Sequence, residues 1–282
     1  MLDIICLNGR FQSLREQNLS PDNRAFLYGD GLFESIRVSD GNLLFFDDHF
    51  ERLISGMYVL GLDNTFFDPL KVFEEMEELI RRNQCKEGRL RLSVFRNSGG
   101  FYKPLTDQCG YLITVQQITE PIFTINEKGL RLGTYSEIRK PLNALSGIKS
   151  SSALLYVLAA RHAKESGWDD SILLNEYGRI CECSSANVFL LMPDKTIVTP
   201  ALSEGILPGV MRKNLIRFMR DNGIQVEERM VLTDDLFKAD EIFLTSAIQG
   251  IRWVISFRER RYFSAFSRCL SEMMQQELIQ AN

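Results

Sequence analysis

Ser146-Gly147-Ile148-Lys149-Ser150-Ser151-Ser152-Ala153-Leu154 sets one lysine just ahead of a long apolar helical pattern. About three dozen residues further on, Ile180-Cys181-Glu182-Cys183-Ser184-Ser185-Ala186-Asn187-Val188-Phe189 sets one acid on a short strand of otherwise small and apolar residues. Taken singly, Lys149 reads as a helix-start lysine, although a cation there opposes the helix dipole. Glu182 taken singly reads as an edge-strand carboxylate facing water. Together they offer an amine and a carboxylate, each in a mostly uncharged setting.

That is the pair pyridoxal phosphate (PLP) uses. The lysine forms its Schiff base, and the acid keeps the pyridine nitrogen protonated so that the ring acts as an electron sink. The pair gains its meaning from segments suited to a phosphate. A dianion is held at low cost by a glycine-rich turn into a helix N-terminus, whose unpaired N–H groups point outward. Leu207-Pro208-Gly209-Val210-Met211-Arg212 fits that description. One guanidinium would complete the cup. Arg52, in Phe50-Glu51-Arg52-Leu53, is the candidate, with a surface helix arginine as the competing reading. Thr245-Ser246-Ala247 follows an apolar strand and offers hydroxyls, or is a plain strand-end turn.

Composition narrows the alternatives. With 282 residues the chain supports one large or two modest domains. A hydrophobic content of 45% and charged content of 25% are ordinary for a globular protein. The net charge of -4 gives no electrostatic reason to expect nucleic acid or an anionic membrane. Met1 to Cys6 lacks a basic segment followed by an apolar one, so no signal peptide is expected, and no apolar run approaches bilayer length. The six cysteines are scattered like free thiols, and Cys181-Glu182-Cys183 lacks zinc-site spacing. A cytoplasmic protein without a bound metal is expected. Of the two histidines, His162 reads as solvent-facing and His49 as a packing residue at a helix start.

Periodicity divides the chain into a smaller and a larger α/β unit. The first, residues 1–119, has a strand at Ile4 to Leu7 and a loop at Tyr28-Gly29-Asp30-Gly31 feeding a strand through Val38. It continues with helices at Asp47 to Leu60 and Asp68 to Arg82, and strands at Leu90 to Arg96 and Tyr111 to Val115. Residues 120–123, with Pro121, read as the linker. The second, residues 124–282, has a strand at Leu130 to Thr134, a helix at Ser150 to Lys164 and a strand at Ser171 to Asn175. Next come a hairpin carrying Glu182 and strands at Val188 to Met192 and Thr196 to Thr199. Gly205 to Arg212 opens a helix running to about Arg220, then come strands at Gln225 to Arg229 and Glu241 to Leu244, and a helix at Ser264 to Gln280. Arg258-Glu259-Arg260-Arg261 reads as a solvated turn.

Tyr28-Gly29-Asp30-Gly31-Leu32-Phe33-Glu34, Phe50-Glu51-Arg52-Leu53, Gly147-Ile148-Lys149, the Glu182 stretch and Leu207 to Arg212 occur in that order. In this the chain resembles the class IV aminotransferase family, the fold type IV PLP enzymes. That family includes branched-chain and D-amino-acid aminotransferases and 4-amino-4-deoxychorismate lyase. The resemblance covers nearly the whole chain. It implies a two-domain α/β (α+β) fold, like that of D-amino-acid aminotransferase, with a pseudo-barrel second domain and PLP in the interdomain cleft of a homodimer. It also implies an aldimine on Lys149, which shuttles the α-proton of a small amino-acid-like substrate. Glu182 is implied on the pyridinium nitrogen. Arg52, Gly209, Val210, Met211, Ser246 and Ala247 are implied around the phosphate.

Within the family the features are divided. Branched-chain enzymes carry a tyrosine where Leu154 stands, and a Gly-Thr-Ala stretch where this chain has Ser246-Ala247-Ile248. Arg96-Asn97-Ser98-Gly99-Gly100 is similar to the Arg-Gly-Ser-Gly-Gly of the lyases. D-amino-acid enzymes place an arginine and a histidine where Phe101 and Lys103 stand, so that carboxylate trap is missing here or rebuilt around Lys103; Phe33, Arg96, Phe101 and Lys103 are the expected substrate contacts. The balance falls to aminodeoxychorismate lyase, which makes 4-aminobenzoate and pyruvate in folate biosynthesis. A D-amino-acid or branched-chain transaminase is the alternative, and a catalytically idle binding homologue the remote one.

Overall fold

A computed structural model describes residues 3–16, 19–65, 67–120 and 123–281. The chain forms two compact units, Met1–Pro121 with Ile148–Ser152, and Ile122–Gly147 with Ala153–Asn282. Pro121 and Ile122, inside the expected linker, lie outside the described residues.

In the first unit the elements are β1 (Ile4–Leu7), β2 (Arg10–Ser13), α1 (Arg24–Tyr28), β3 (Gly31–Ser39), β4 (Asn42–Leu43), α2 (Phe46–Leu60), α3 (Pro69–Arg82), β5 (Gly88–Arg96) and β6 (Cys109–Gln117). The strands make a six-stranded antiparallel sheet in the order β2-β1-β6-β5-β3-β4. Period-two alternation decides its two faces. Leu90, Leu92 and Val94 of β5 are buried with Leu53 and Met57 of α2 and Leu79 of α3. Each such side chain contributes about 1.5–3 kcal/mol on full burial. Arg89, Arg91 and Ser93 fall on the other face, across from Arg37, Ser35 and Phe33. Helix α3 starts as its sequence indicates: the Asp68 side chain accepts from Leu70 N at 3.0 Å, with Pro69 at the first helical position.

The second unit has β7 (Leu130–Lys140), α4 (Leu154–Glu165), β8 (Asp170–Asn175), β9 (Ile180–Cys183), β10 (Asn187–Leu191), β11 (Ile197–Pro200) and α5 (Val210–Asp221). It goes on with β12 (Val226–Arg229), α6 (Thr233–Lys238), β13 (Glu241–Ser246), β14 (Gly250–Phe257), β15 (Arg260–Arg261) and α7 (Ala265–Ala281). Its mixed sheet runs β12-β11-β10-β13-β14-β7-β8-β9, with β15 beside β14. Ile172, Val188, Leu190, Ile242, Leu244 and Val254 are among its core side chains. Among the described residues no helix is long and apolar enough to cross a membrane.

Three local expectations change. The helix expected from Ser150 begins at Leu154, and residues 149–151 run extended beside β3. Phe33 N donates to Lys149 O at 2.9 Å, and Ser151 N donates to Gly31 O at 2.8 Å. A strand partner has claimed backbone groups that a helix would have used. Lys149 therefore clusters with the first unit rather than with an unbroken 124–282 domain. Strand β14 is absent from the sequence reading, because its residues are mostly buried on both faces and do not alternate. His162 does not simply face solvent: its ring lies 5.5 Å from both Tyr135 and Trp168.

Candidate active site

The first unit carries several cationic side chains, Arg52, Arg89, Arg91 and Lys149 among them. Arg52, on α2, is held by Glu34 of β3 through two bonds, Nε to Oε1 at 2.9 Å and Nη2 to Oε2 at 2.6 Å. His49 stands one turn before Arg52 on the same helix, and its Nδ1 lies 2.7 Å from Glu34 Oε2. Burial alone would raise the Glu34 pKa, but Arg52 and His49 together bring it down to about 2. Burial lowers the His49 pKa, so the ring is neutral with its proton on Nδ1, facing the carboxylate.

On the sheet face away from α2 and α3, the Phe33 ring supports two cations. The Arg91 guanidinium lies 3.8 Å from its centroid and the Lys149 ammonium 4.6 Å. Arg91 Nε donates to Ser93 Oγ at 3.2 Å, and Arg89 Nη2 donates to Ser35 Oγ at 3.0 Å. Arg89 Nε is buried without a partner among the described residues. Burial, and then the neighbouring Arg89, lower the Arg91 pKa. The sequence reading missed Arg89 and Arg91, although their alternation with Leu90 and Leu92 signalled a cationic sheet face.

Arg96 has a different setting. Its Nε donates to Asp30 Oδ2 at 3.0 Å, Nη2 to Leu60 O at 2.6 Å, and Nη1 to Gly61 O at 3.2 Å. Nη1 also meets Asp107 Oδ1 at 2.5 Å. Arg24 shares Asp30 Oδ2 at 2.8 Å and reaches the Phe101 carbonyl at 2.7 Å. The two arginines fasten the loop that carries Phe101 and Lys103. Both of those side chains are exposed, Phe101 at 83%.

In the second unit Glu182 is buried on β9. Its Oε1 pairs with the ammonium of Lys140, at the end of β7, and accepts from Tyr156 OH at 2.9 Å. Its Oε2 accepts from Leu207 N at 2.9 Å and Asn187 Nδ2 at 3.4 Å. The edge-strand reading with water access is thereby replaced by a carboxylate in a dry network. Burial, and then Glu182, push the Tyr156 hydroxyl upward, keeping it a donor. Lys140 and Tyr156 also escaped the sequence reading, since a strand-end lysine and a helix tyrosine carry no motif.

Asn187 links this network to α5. Gly209 caps that helix without a side-chain bond, and a Cβ there would stand 1.9 Å from Asn187 Oδ1. Only glycine lets the chain approach so closely. Val210 and Met211 are buried in the first turn, where helix N–H groups lack intrahelical partners. Ser246 ends β13 and its Oγ accepts from Gln249 N at 3.2 Å, with Ala247 next to it. Thr245, Ser246, Ser185, Gln249 and Arg252 help line a cavity of about 320 Å³. Thr245 Oγ1 is buried there without a partner among the described residues. Within the second unit, the buried acid and the helix N-terminus that Asn187 joins form a donor set that fits a phosphorylated pyridine.

The chain is similar to known proteins. The profile of the family described as "Amino-transferase class IV" matches residues 31–257. A putative branched-chain-amino-acid aminotransferase of Methanocaldococcus jannaschii is 31% identical, over 88% of this chain and 85% of its own length. An aminodeoxychorismate lyase of Bacillus subtilis is 28% identical, over 96% and 92%. A T.th. branched-chain amino acid aminotransferase, solved with pyridoxamine 5'-phosphate, superposes with a TM-score of 0.89 at 25% identity, covering 97% of this chain and 93% of that one. The chain is a class IV aminotransferase-family enzyme with the fold type IV architecture.

Proposed function

We propose that this enzyme uses PLP to break the α-C–H bond of a substrate amine, and that the substrate is aminodeoxychorismate, converted to 4-aminobenzoate and pyruvate. The bound cofactor supplies the electron sink. Lys149 holds it covalently and then moves the α-proton. Glu182 holds the proton on the pyridine nitrogen, oriented by Lys140, Tyr156 and the Leu207 N–H. Arg52, the N–H groups of Val210 and Met211, and the Gly209, Ser246 and Ala247 turns hold the phosphate.

The observation that carries the substrate reading is the pair Arg89 and Arg91 beside Phe33. Among the described residues neither guanidinium is paired with a carboxylate, and Arg91 is partly desolvated. Keeping two like charges adjacent and partly dry is costly until an anion meets them. A diacid such as aminodeoxychorismate offers two carboxylates. Arg96, committed to Asp30 and Asp107, serves the loop instead of the substrate. The same cationic face suits 2-oxoglutarate, so a transaminase is the second reading, supported by the names of the relatives.

A paired assay on PLP-loaded enzyme separates them. One arm supplies aminodeoxychorismate and follows 4-aminobenzoate and pyruvate. The other supplies D-alanine or L-leucine with 2-oxoglutarate and follows glutamate. Product in the first arm only is the expected result; glutamate only would make the enzyme a transaminase. The reading extends to a homodimer in the cytoplasm. Leu154, Val157 and Leu158 form an exposed apolar stripe at helical spacing on α4, which a second copy would cover.

A further inference from the structure

We propose that Glu34 and His49 are positioning residues that lock the Arg52 guanidinium as a preset anion-binding fork. This rests on the reading of Arg52 as a phosphate ligand. His49 and Arg52 stand three apart on one face of α2, and both reach Glu34 on β3. Side-chain exposure is 1% for His49, 2% for Glu34 and 10% for Arg52. The triangle therefore spans a helix and a strand inside the core, with little room to rearrange.

A guanidinium is planar and rigid. Two bonds on its Nε–Nη2 edge fix its plane, and with it the direction of the other edge. The carboxylate could still rotate, but the His49 Nδ1–H bond to Oε2 stops that rotation. Arginine ordering is then settled at folding and no longer weighs against ligand binding. Charge alone does not account for the arrangement, because Glu34 partly offsets the positive charge that would attract a dianion. Among the described residues His49 Nε2 has no hydrogen-bond partner. The one hydrogen bond of this ring among the described residues is with Glu34, so a histidine whose purpose is packing would be an expensive choice.

The test compares dissociation constants for PLP and for pyridoxal, which lacks the phosphate, on enzyme stripped of cofactor and reloaded. The ratio of the pyridoxal dissociation constant to that for PLP reads the phosphate site alone. Arg52→Leu should collapse the ratio. If it does not, the phosphate reading of Arg52 fails, and the inference falls with it for that separate reason. Given that collapse, His49→Leu should lower the ratio about tenfold, leaving pyridoxal affinity nearly unchanged. His49→Asn, which keeps a donor near the Nδ1 position, should retain the ratio within about threefold. Equal weakening of both ligands by His49→Leu, or no change in either, overturns the proposal. Glu34→Gln supplies a second arm should His49→Leu misfold. A fall in the ratio supports positioning; a rise shows that Glu34 only offsets the charge of Arg52, and overturns it.

Discussion

Glu34 and His49 give the protein a pH response that can be worked out in sign. The carboxyl drops from its ordinary 4.5 to about 2. Its stabilising contribution is present above 4.5 and is lost as pH falls toward 2. By linkage it amounts to roughly 3 kcal/mol. His49 is held neutral by burial, below its ordinary 6.5. The unfolded chain therefore takes up that proton first, and stability begins to fall as pH drops through 6.5. Urea unfolding of the wild type should show both declines. His49→Asn should lose the upper one and keep the lower; an unchanged profile between pH 7 and 5.5 (the window about one unit below the histidine reference) would contradict the buried neutral histidine. The Lys140–Glu182 pair belongs to the same scale. Two buried charges are tolerable because they meet each other, a tyrosine hydroxyl and a backbone N–H.

Helix α5 and strand β10 meet where Gly209 faces Asn187. An alanine Cβ at 209 would collide with Asn187 Oδ1, which lies at 1.9 Å from the ideal position. Asn187 donates to both Glu182 and the Leu207 carbonyl. Gly209→Ala should consequently disturb the acid and the helix start together, raising the PLP dissociation constant at least about tenfold, the loss of one charge-assisted hydrogen bond. Spectrophotometric titration with PLP checks this, and unchanged binding would show that α5 takes no part. The extended run at residues 149–151 matters for a similar reason. Strand bonds from Phe33 and Ser151 hold the backbone of Lys149 more firmly than the first turn of a helix would.

At the scale of the molecule, the apolar stripe of α4 argues for self-association. Leu154 is 72% exposed and Val157 58%. Light scattering should return twice the 32.4 kDa chain mass. Val157→Glu, which places a charge in the middle of the stripe, should shift the population toward monomer; a wild-type monomer would remove the homodimer reading. The two compact units differ in design. The first covers one face of an antiparallel sheet with two helices, leaving cationic side chains on the other. The second threads parallel and antiparallel strands into one larger sheet.

The family and most of the elements were legible in the amino-acid order alone, and the same order put forward Lys149, Glu182 and Arg52 as the residues of the proposed site. Helices α2 and α3 and strands β5 and β6 follow from local periodicity and capping, which short-range chemistry dictates. The partners of those residues did not follow. Lys140 is 42 positions from Glu182, and His49 is 15 from Glu34. Nothing local in either stretch marks the other. Burial on both faces hid β14, and competition from β3 for the backbone moved the start of α4. Which groups touch across such separations is settled when the sheets close and water leaves. No local pattern can encode it, because desolvation and pairing are properties of the packed chain.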